Sequence, residues 1–566
     1  NIKDTYIRKA NNGTNYVTAT SLGVGKHATY GECKALVKID DLPDVGKGYV
    51  IVKAQMGIAL GASNNKQDAY VYAREIMEAW DPTKVTWNTI EGDPANPPET
   101  PPQVYDRERY LDYTLVKKGE SEAQSAFFDI TNLVRKWYAD KNQNFGILLE
   151  SPDEQPISFA SGDNGTSAAR PVIYVNYVSK AGLESYLAYE SFGAGRAGTA
   201  HVALHTGHLV ATRGLTFMSG NRMPVSLGLT WNACNMDKNT FGVGFGWRLN
   251  WNRSLRRQKP ATGDYYYMYT DGDGTEHEFT KHVKTDEEKK DIAFVDYYED
   301  RSGLSLKLYE VGTEAEIVSK DHSKLVFEKP TADYTGTPAA TTFKMIRRAV
   351  DALGNTAAFV HNASFQLTTV TDGAGRVTSL AYTATQVSVT APGYTAPALL
   401  TLDAGKRLTT VTDLDGGRSE YVYGDEPADP EDPNPPTPDP SAANRLRLLR
   451  NTVDGTYVKA TFDKQGRATQ MQVWGQEGEP VPVLVAGNDR SYEYFDCVTQ
   501  VRDLTAGENG KVLTYQFNDY GNVVAVHDEL GFASFAKFSM GKPNTPEAVS
   551  KLQRLVINLL DMHDFT

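Results

Sequence analysis

Three histidines within eight residues, in HVALHTGH over 201–208, are side chains whose type and spacing could hold a metal. On a helix, His201, His205 and His208 would lie near one face and could ligate zinc. The neighbouring residues favour a strand instead, because Ala200–Leu204 alternates and Thr206-Gly207 is a turn pair. Strand rise then separates His201 from His205 by about 13 Å, too far for one ion. The acidic stretch DGDG over 271–274 shares the opening of a calcium loop but stops before the ligand series that ends in Glu. A hairpin turn is the better reading. Glycoside hydrolysis needs two carboxylates facing one cleft, and with 71 acidic residues the composition selects no pair. No GxSxG, HExxH, GxxxxGK[ST] or Cys/His arrangement occurs. Trp80 and Trp87, in AWDPTKVTWN, are the candidate carbohydrate-stacking rings, with core packing as the competing reading.

A second pattern is internal repetition. LTTVTDLDGGRSEYVY at 408–423 restates LTTVTDGAGRVTSLAY at 367–382. Asp-x-x-Gly recurs at Asp351/Gly354, Asp372/Gly375, Asp413/Gly416, Asp463/Gly466 and Asp528/Gly531, with Asn518/Gly521 as a variant. The elementary step is about ten residues, one strand and one turn. In such a turn Asp hydrogen-bonds nearby backbone amides and the Gly three residues on takes the positive φ. Arg376 and Arg467 follow the turn Gly directly, and Tyr382, Tyr421 and Tyr423 stand on strands. These residues are therefore expected to be structural parts of a repeated wall. No single hairpin buries its own face, so stacking of neighbours must stabilise the array.

The chain that must position these groups has 566 residues, a length that predicts three or four domains. Its net charge of −13 argues against nucleic-acid binding and against adhesion to anionic lipid. The basic run RSLRRQK at 253–259 is expected to be a solvated face. Cys33, Cys234 and Cys497 are far apart and form no CxxC pair, so neither a zinc ribbon nor a disulfide framework is signalled. No apolar run reaches the ~18–20 residues that span a bilayer. The sequence begins at Asn1 and ends without a closing signal, and it is read as a piece of a longer protein.

Residues 1–178 alternate polar and apolar residues in short bursts broken by Gly, Pro, Asn and Asp, the pattern of a β-sandwich. One amphipathic helix interrupts it, starting at a capping Asp129 and placing Ile130, Leu133, Val134 and Trp137 on one side. The motifs DTYIR, ALVKIDDLP, WDPTKVTWNT, FDITNLVRKWY, NFGILLES and ISFASGDNGTSAARPVIYVNY follow in one order. Together they resemble the DNRLRE family of disaggregatase-related carbohydrate-binding modules. The resemblance implies a jelly-roll sandwich that attaches to polysaccharide or cell wall. Modules of this kind often carry a structural calcium. Asp4, Asp153 and Asp163 lie in strand-edge or loop contexts there, with no ligand set assigned, and no other cofactor is expected.

Residues 179–190 read as a connector. Residues 191–262, with TGHL and the aromatic, Gly-rich FGVGFGWRL, resemble the N-terminal segment of bacterial RHS/YD-repeat proteins. The YD/RHS-repeat region would run from 263 to 544, interrupted at 424–441 by an extended loop with seven prolines and six acidic residues. Residues 545–561 show helical spacing at Val549, Leu552, Leu555, Val556 and Leu559, so 545–566 is read as a C-terminal helix and a junction to a further domain.

The expectation is an all-β protein: a jelly-roll sandwich followed by a spiral β-sheet forming part of a shell. The resemblances imply a non-catalytic, secreted or cell-surface bacterial protein of Firmicutes type. It would bind glycan through its first module and, by the shell's family, could enclose a C-terminal polypeptide outside this sequence. Two alternatives stay open, a polysaccharide-active enzyme and an adhesin that binds a protein receptor.

Overall fold

The computed structural model describes residues 2–42, 49–61, 66–118, 125–179, 182–184, 187–259, 265–300, 304–334, 338–424, 442–475, 482–495, 497–505, 510–518, 521–531, 533–539 and 551–558. Two compact units divide the chain, with the boundary between Val178 and Ser179. Nearly every element in both is a strand. The Pro-rich loop expected over 424–441 lies, apart from Gly424, outside the described residues.

The first unit is a sandwich of two sheets. One sheet runs Asp112–Val116, Ala69–Glu75, Ile147–Glu150, Gly31–Ile39, Ser21–His27 and Pro156–Ala160, with Ile2–Arg8 also paired to Gly31–Ile39. The other runs Val172–Ser179, Tyr49–Ala59 and Ser125–Asp129. Alternation explains the core, because Ala69, Val71 and Ala73 face inward while Tyr70, Tyr72 and Arg74 face out. Val24, Val37, Met56, Ile58 and Phe128, from both sheets, form one buried cluster. The helix is Thr131–Ala139, and Leu133, Val134 and Trp137 are buried against that cluster together with Ile130. Asp129 accepts from the Thr131 amide at 3.0 Å and the Thr131 hydroxyl at 2.6 Å, closing the turn before the helix.

The second unit holds two sheets. Tyr189–Gly193, Thr199–Ala203, Leu209–Gly214, Gly228–Asn232 and Trp247–Leu249 pair in sequence order as a five-stranded meander. A sheet of 24 strands follows, each paired with the next, from Ser254–Gln258 to Lys551–Asn558. Ser254–Gln258 also pairs with Phe343–Val350, so Leu255 stands opposite both Tyr269 and Lys344. This second pairing closes the first eight strands into a ring, which the repeat pattern did not indicate. Meander and long sheet share one core, in which Leu209, Trp231 and Trp247 join Val370, Leu408, Val411 and Tyr421.

Three expectations are corrected. The long sheet starts at Ser254, inside the segment assigned to 191–262. The basic run at 253–259 is not a solvated face. It is the closing strand of the ring: Leu255 is buried, Arg256 pairs with Glu276 at 2.8 Å, and Arg257 pairs with Asp333 at 2.7 Å. Within the stretch read as a C-terminal helix, Lys551–Asn558 is a strand paired with Ala533–Ser539. Sheet pairing to the preceding strand overrides helical spacing there.

Candidate functional site

The outer face of the larger sheet of the first unit carries the candidate site. Tyr70 and Tyr72 alternate outward on Ala69–Glu75, and Tyr113 stands directly opposite Tyr72 across the strand pair. Tyr110 joins them from the adjoining loop. Ring centroids lie 5.7 Å apart for Tyr70–Tyr113, 5.6 Å for Tyr72–Tyr113 and 5.1 Å for Tyr72–Tyr110. Tyr70, Tyr110 and Tyr113 remain 43%, 52% and 49% exposed. Four clustered and open tyrosines are unusual on a surface and offer C–H-stacking faces with hydroxyl donors at their rims.

A charged network fixes this face. Arg74, two residues beyond Tyr72, bonds Glu150 and donates to the carbonyls of Asp106, Arg107 and Arg109, which holds the loop that presents Tyr110. Asp106 accepts from the amides of Glu108 and Arg109, each at 2.9 Å. Buried Lys34 reaches Glu150 at 2.7 Å, Glu91 at 2.9 Å and the Tyr105 hydroxyl at 2.9 Å. Arg107 closes the far side on Glu91 at 2.9 Å. Burial acts to raise the carboxyls of Glu91 and Glu150, but the cations beside them win and hold both below their ordinary range. The Lys34 ammonium is held above its ordinary value by the same carboxylates, against the cost of burial.

Trp87 is buried beside Val85, Ile90 and Leu148 and offers no face to a sugar. Trp80 packs against that cluster and donates its indole N–H to the Phe145 carbonyl at 2.7 Å. Both hold the covering loop onto the sheet. The tyrosines were the residues missed by sequence reasoning. Their signal was AYVYARE, where two tyrosines share the parity of an arginine on an otherwise apolar-alternating strand.

In the second unit the repeats and the meander meet at polar contacts. Asp372 accepts from the Ala374 and Arg376 amides with Oδ1, each at 2.9 Å, and takes the Arg376 Nε on Oδ2 at 2.7 Å. Asp463 repeats this with Gln465 and Arg467, and Asp403 takes the Arg407 amide and Nε the same way. Gly354, Gly375, Gly416, Gly466 and Gly531 all take positive φ at the close of their turns. Asp351 and Asp528 accept from the amides of Leu353 and Leu530, each at 3.0 Å. Tyr382 and Tyr423 reach back to the carbonyls of Leu367 and Leu408 at 2.8 and 2.6 Å, the same bond made twice.

Asp413 departs from this scheme. The fifth turn position, arginine in three of its neighbours, is Gly417. The cations come instead from the meander: Arg213 bonds Asp413 Oδ1 and Arg196 reaches Oδ2 at 3.0 Å. A Cβ on residue 417 would stand 2.5 Å from the Arg196 guanidinium carbon, so any side chain there must displace the end of Arg196. Arg196 also grips Asp415 at 2.8 Å. Tyr421 donates to the Ala197 carbonyl at 3.0 Å, and the Trp247 indole donates to the Tyr423 hydroxyl at 2.7 Å.

The structure does not gather the metal candidates. His201 lies on a strand between the Ser191 hydroxyl at 2.8 Å and the Thr212 hydroxyl at 3.0 Å. His205 packs edge-on against Phe517, and burial brings His208 down to about 4. Asp4 accepts from the Gly162 amide, and Asp153 accepts from the Tyr70 amide at 2.6 Å. Among the described residues no group of three His, Cys, Asp or Glu could hold a metal ion. Asp271 and Asp273 form the expected hairpin turn, and Asp273 also accepts from the Leu183 amide at 2.8 Å. No helix among the described residues is long and apolar enough to cross a membrane.

Residues 1–177 match the family model of Carbohydrate-binding module family 96. No curated protein matches the chain. Among solved structures, the chain is similar to TcdB2-TccC3-Cdc42, at 9% identity over 59% of this chain and 24% of that chain with a TM-score of 0.17. It is similar to the Photorhabdus luminescens Tc holotoxin pore, at 9% identity over 61% of this chain and 25% of that chain with a TM-score of 0.15. A porin-like protein from Bacteroides uniformis matches at 10% identity over 42% of this chain and 94% of that chain with a TM-score of 0.18. The chain thus spans about a quarter of the toxin chains it matches. At such TM-scores these likenesses carry no argument.

Proposed function

We propose that the first unit attaches this chain to a polysaccharide or cell-wall glycan through Tyr70, Tyr72, Tyr110 and Tyr113. We read the second unit as part of the wall of an RHS/YD-repeat shell in a secreted or cell-surface bacterial protein. The observation that carries the first half is the open tyrosine cluster, locked by the Arg74 clamp, on a unit whose sequence matches a carbohydrate-binding family. A carbohydrate-binding module is a non-catalytic unit, and the role proposed for the whole chain is structural and adhesive. The wall reading is supported by the Asp-x-x-Gly turns, the recurring tyrosine-to-carbonyl bonds and the strand-by-strand pairing of the long sheet. Such a shell could enclose a polypeptide not contained in this sequence.

The test is a polysaccharide and peptidoglycan array probed with the full chain and with the double variant Tyr72→Ala/Tyr113→Ala. Binding to at least one glycan should fall about tenfold or more in the variant, the loss expected for aromatic anchors of a binding face. Equal binding by both proteins, or none by either, would refute it. Release of reducing or unsaturated ends from a bound glycan would instead favour the polysaccharide-active alternative.

A further inference from the structure

A cavity of about 540 Å³ opens in the second unit beside the Asp413 turn, where the meander meets the repeats. That volume is within the ~300–1,000 Å³ range of small-molecule sites. Its walls include Arg196, Phe217, Tyr394, Asn451, Val453 and Asp454. Phe217 is 76% exposed, and its ring lies over Gly214, where a Cβ would stand 2.4 Å from it. Tyr394, from a different repeat, is 46% exposed. Two rings held open at one cavity have no packing role that accounts for their exposure.

The polar groups lining the cavity are incompletely used. Asn451 is 4% exposed; its Oδ1 accepts from the Val453 amide, and its Nδ2 carries no hydrogen bond to any described residue. Asp454 accepts from the Thr456 amide with Oδ1, which leaves Oδ2 open. Arg196 and Arg213 are engaged with Asp413 and Asp415, so their charges offset one another. What remains is a donor, an acceptor and two aromatic faces, with a single uncompensated carboxylate. Phosphate or sulfate would be repelled, and a cationic peptide would find only one counter-charge. A sugar needs apolar C–H faces stacked on rings and hydroxyls met by a donor and an acceptor.

We infer that this cavity is a second carbohydrate-binding site, for a neutral pyranose, separate from the tyrosine face of the first unit. Phe217 and Tyr394 stack the sugar, the Asn451 amide donates to it and the Asp454 carboxylate accepts from it. The inference does not depend on the tyrosine face, and the experiment separates the two.

Saturation-transfer NMR on the full chain carrying Tyr72→Ala/Tyr113→Ala, with cello-, xylo-, manno- and chitohexaose as probes, reads the cavity alone. At least one hexasaccharide should give signals that drop about fivefold or more when Phe217→Ala and Tyr394→Ala are added. Both residues are exposed, so their truncation should leave the melting midpoint unchanged, a control on folding. No signal from any of the four probes overturns the inference, as do signals indifferent to Phe217→Ala/Tyr394→Ala. Hexalysine binding in place of every sugar overturns it in favour of a cationic peptide. The chain with Phe217→Ala/Tyr394→Ala and intact tyrosines reports on the first-unit face independently.

Discussion

Asp413→Ala is the sharpest test of how the meander is held against the repeats. The change removes the carboxylate shared by Arg213 and Arg196. The Arg213 side chain is only 2% exposed, so it would be left as a buried cation without a counter-charge. Breaking a buried pair from one side costs about 3–5 kcal/mol. Arg213 keeps the Tyr421 hydroxyl at 3.2 Å and the Gly214 carbonyl at 3.1 Å, which places the cost at the lower end, about 3 kcal/mol. Arg196 is part-exposed and retains Asp415, so its share is small. About 3 kcal/mol is roughly a hundredfold in a local opening equilibrium. Hydrogen exchange followed by mass spectrometry should therefore show about a hundredfold loss of protection in Thr199–Ala203 and Leu209–Gly214. Arg213→Ala should cost less, because it removes the charge along with its need for a partner, and the two changes should be non-additive. Asp372→Ala serves as the control, since its cation is its own Arg376 and the effect should stay in that turn. A protection change below about threefold in the meander strands, or strict additivity with Arg213→Ala, would refute the reasoning.

Gly417→Arg restores the arginine of the neighbouring turns and displaces the end of Arg196 from Asp413; the meander should lose protection while the Asp413 turn itself remains formed, again read by hydrogen exchange. Lys34→Ala leaves Glu91 with Arg107 alone and Glu150 with Arg74 alone, and should destabilise the first unit by about 3 kcal/mol in urea titration, whereas Lys9→Ala, at an exposed pair, should change it by less than about 1 kcal/mol. The buried turn at 271–277 sets a pH dependence. Burial, and then Asp271 beside it, raise Asp273 to about 7. For His277 burial opposes but its bond to Asp271 wins, and its value is also raised. Burial likewise opposes at Asp271, but the bonds from His277 and Asp273 hold it below the ordinary carboxylate range. Raised folded values mean that the native turn keeps protons the unfolded chain releases, so the stability from Asp273 is present near pH 4 and lost as pH rises through about 7. His277 contributes in the same direction, and Asp271 the opposite way only below about pH 4. The urea midpoint of the second unit should thus fall from pH 5.5 to pH 8, and Asp273→Asn should flatten that slope; an unchanged slope would count against the assignment.

The strands were legible because one face of nearly every one is buried, which writes a period of two into the sequence. The helix Thr131–Ala139 was legible for the corresponding reason, since Leu133, Val134 and Trp137 pack inward at helical spacing. The turns were legible because Asp and Gly act locally, within five residues. Ring closure was not, because the second pairing of Ser254–Gln258 joins residues about ninety apart and needs no special side chain. The tyrosine face was hidden by its ordinariness: Tyr70 and Tyr72 look like any strand tyrosine until the partner strand and the Arg74 clamp leave them uncovered. The tryptophans misdirected for the opposite reason. Their size marks them for contact, and the covering loop supplies that contact from within the protein. The stretch at 551–558 shows helical spacing, yet pairing along Ala533–Ser539 decides its form.

The repeated sentence LTTVTD, written at 367 and again at 408, acquires its meaning from the residue where its two copies diverge. In the first copy the turn is self-contained: Asp372 and Arg376 neutralise each other, and the next repeat can stack on a satisfied surface. In the second copy Gly417 leaves the carboxylate of Asp413 without a local cation, and an unpaired charge is costly once its side chain is only 13% exposed. Arg196 and Arg213, from about two hundred residues away, offset that cost. At the same place in another turn the Asn355 side-chain amide donates to Asp351 at 2.8 Å, so a neutral amide also satisfies the carboxylate there. The Asp413 turn is thus one of several points where the meander meets the repeats, beside the Tyr492 bond to Glu190 and the Thr499 bond to the Leu204 carbonyl, and it is the one where the repeat borrows its cations. A periodic wall offers many equivalent positions to a partner. At this one the missing local cation is supplied by Arg196 and Arg213 of the meander region.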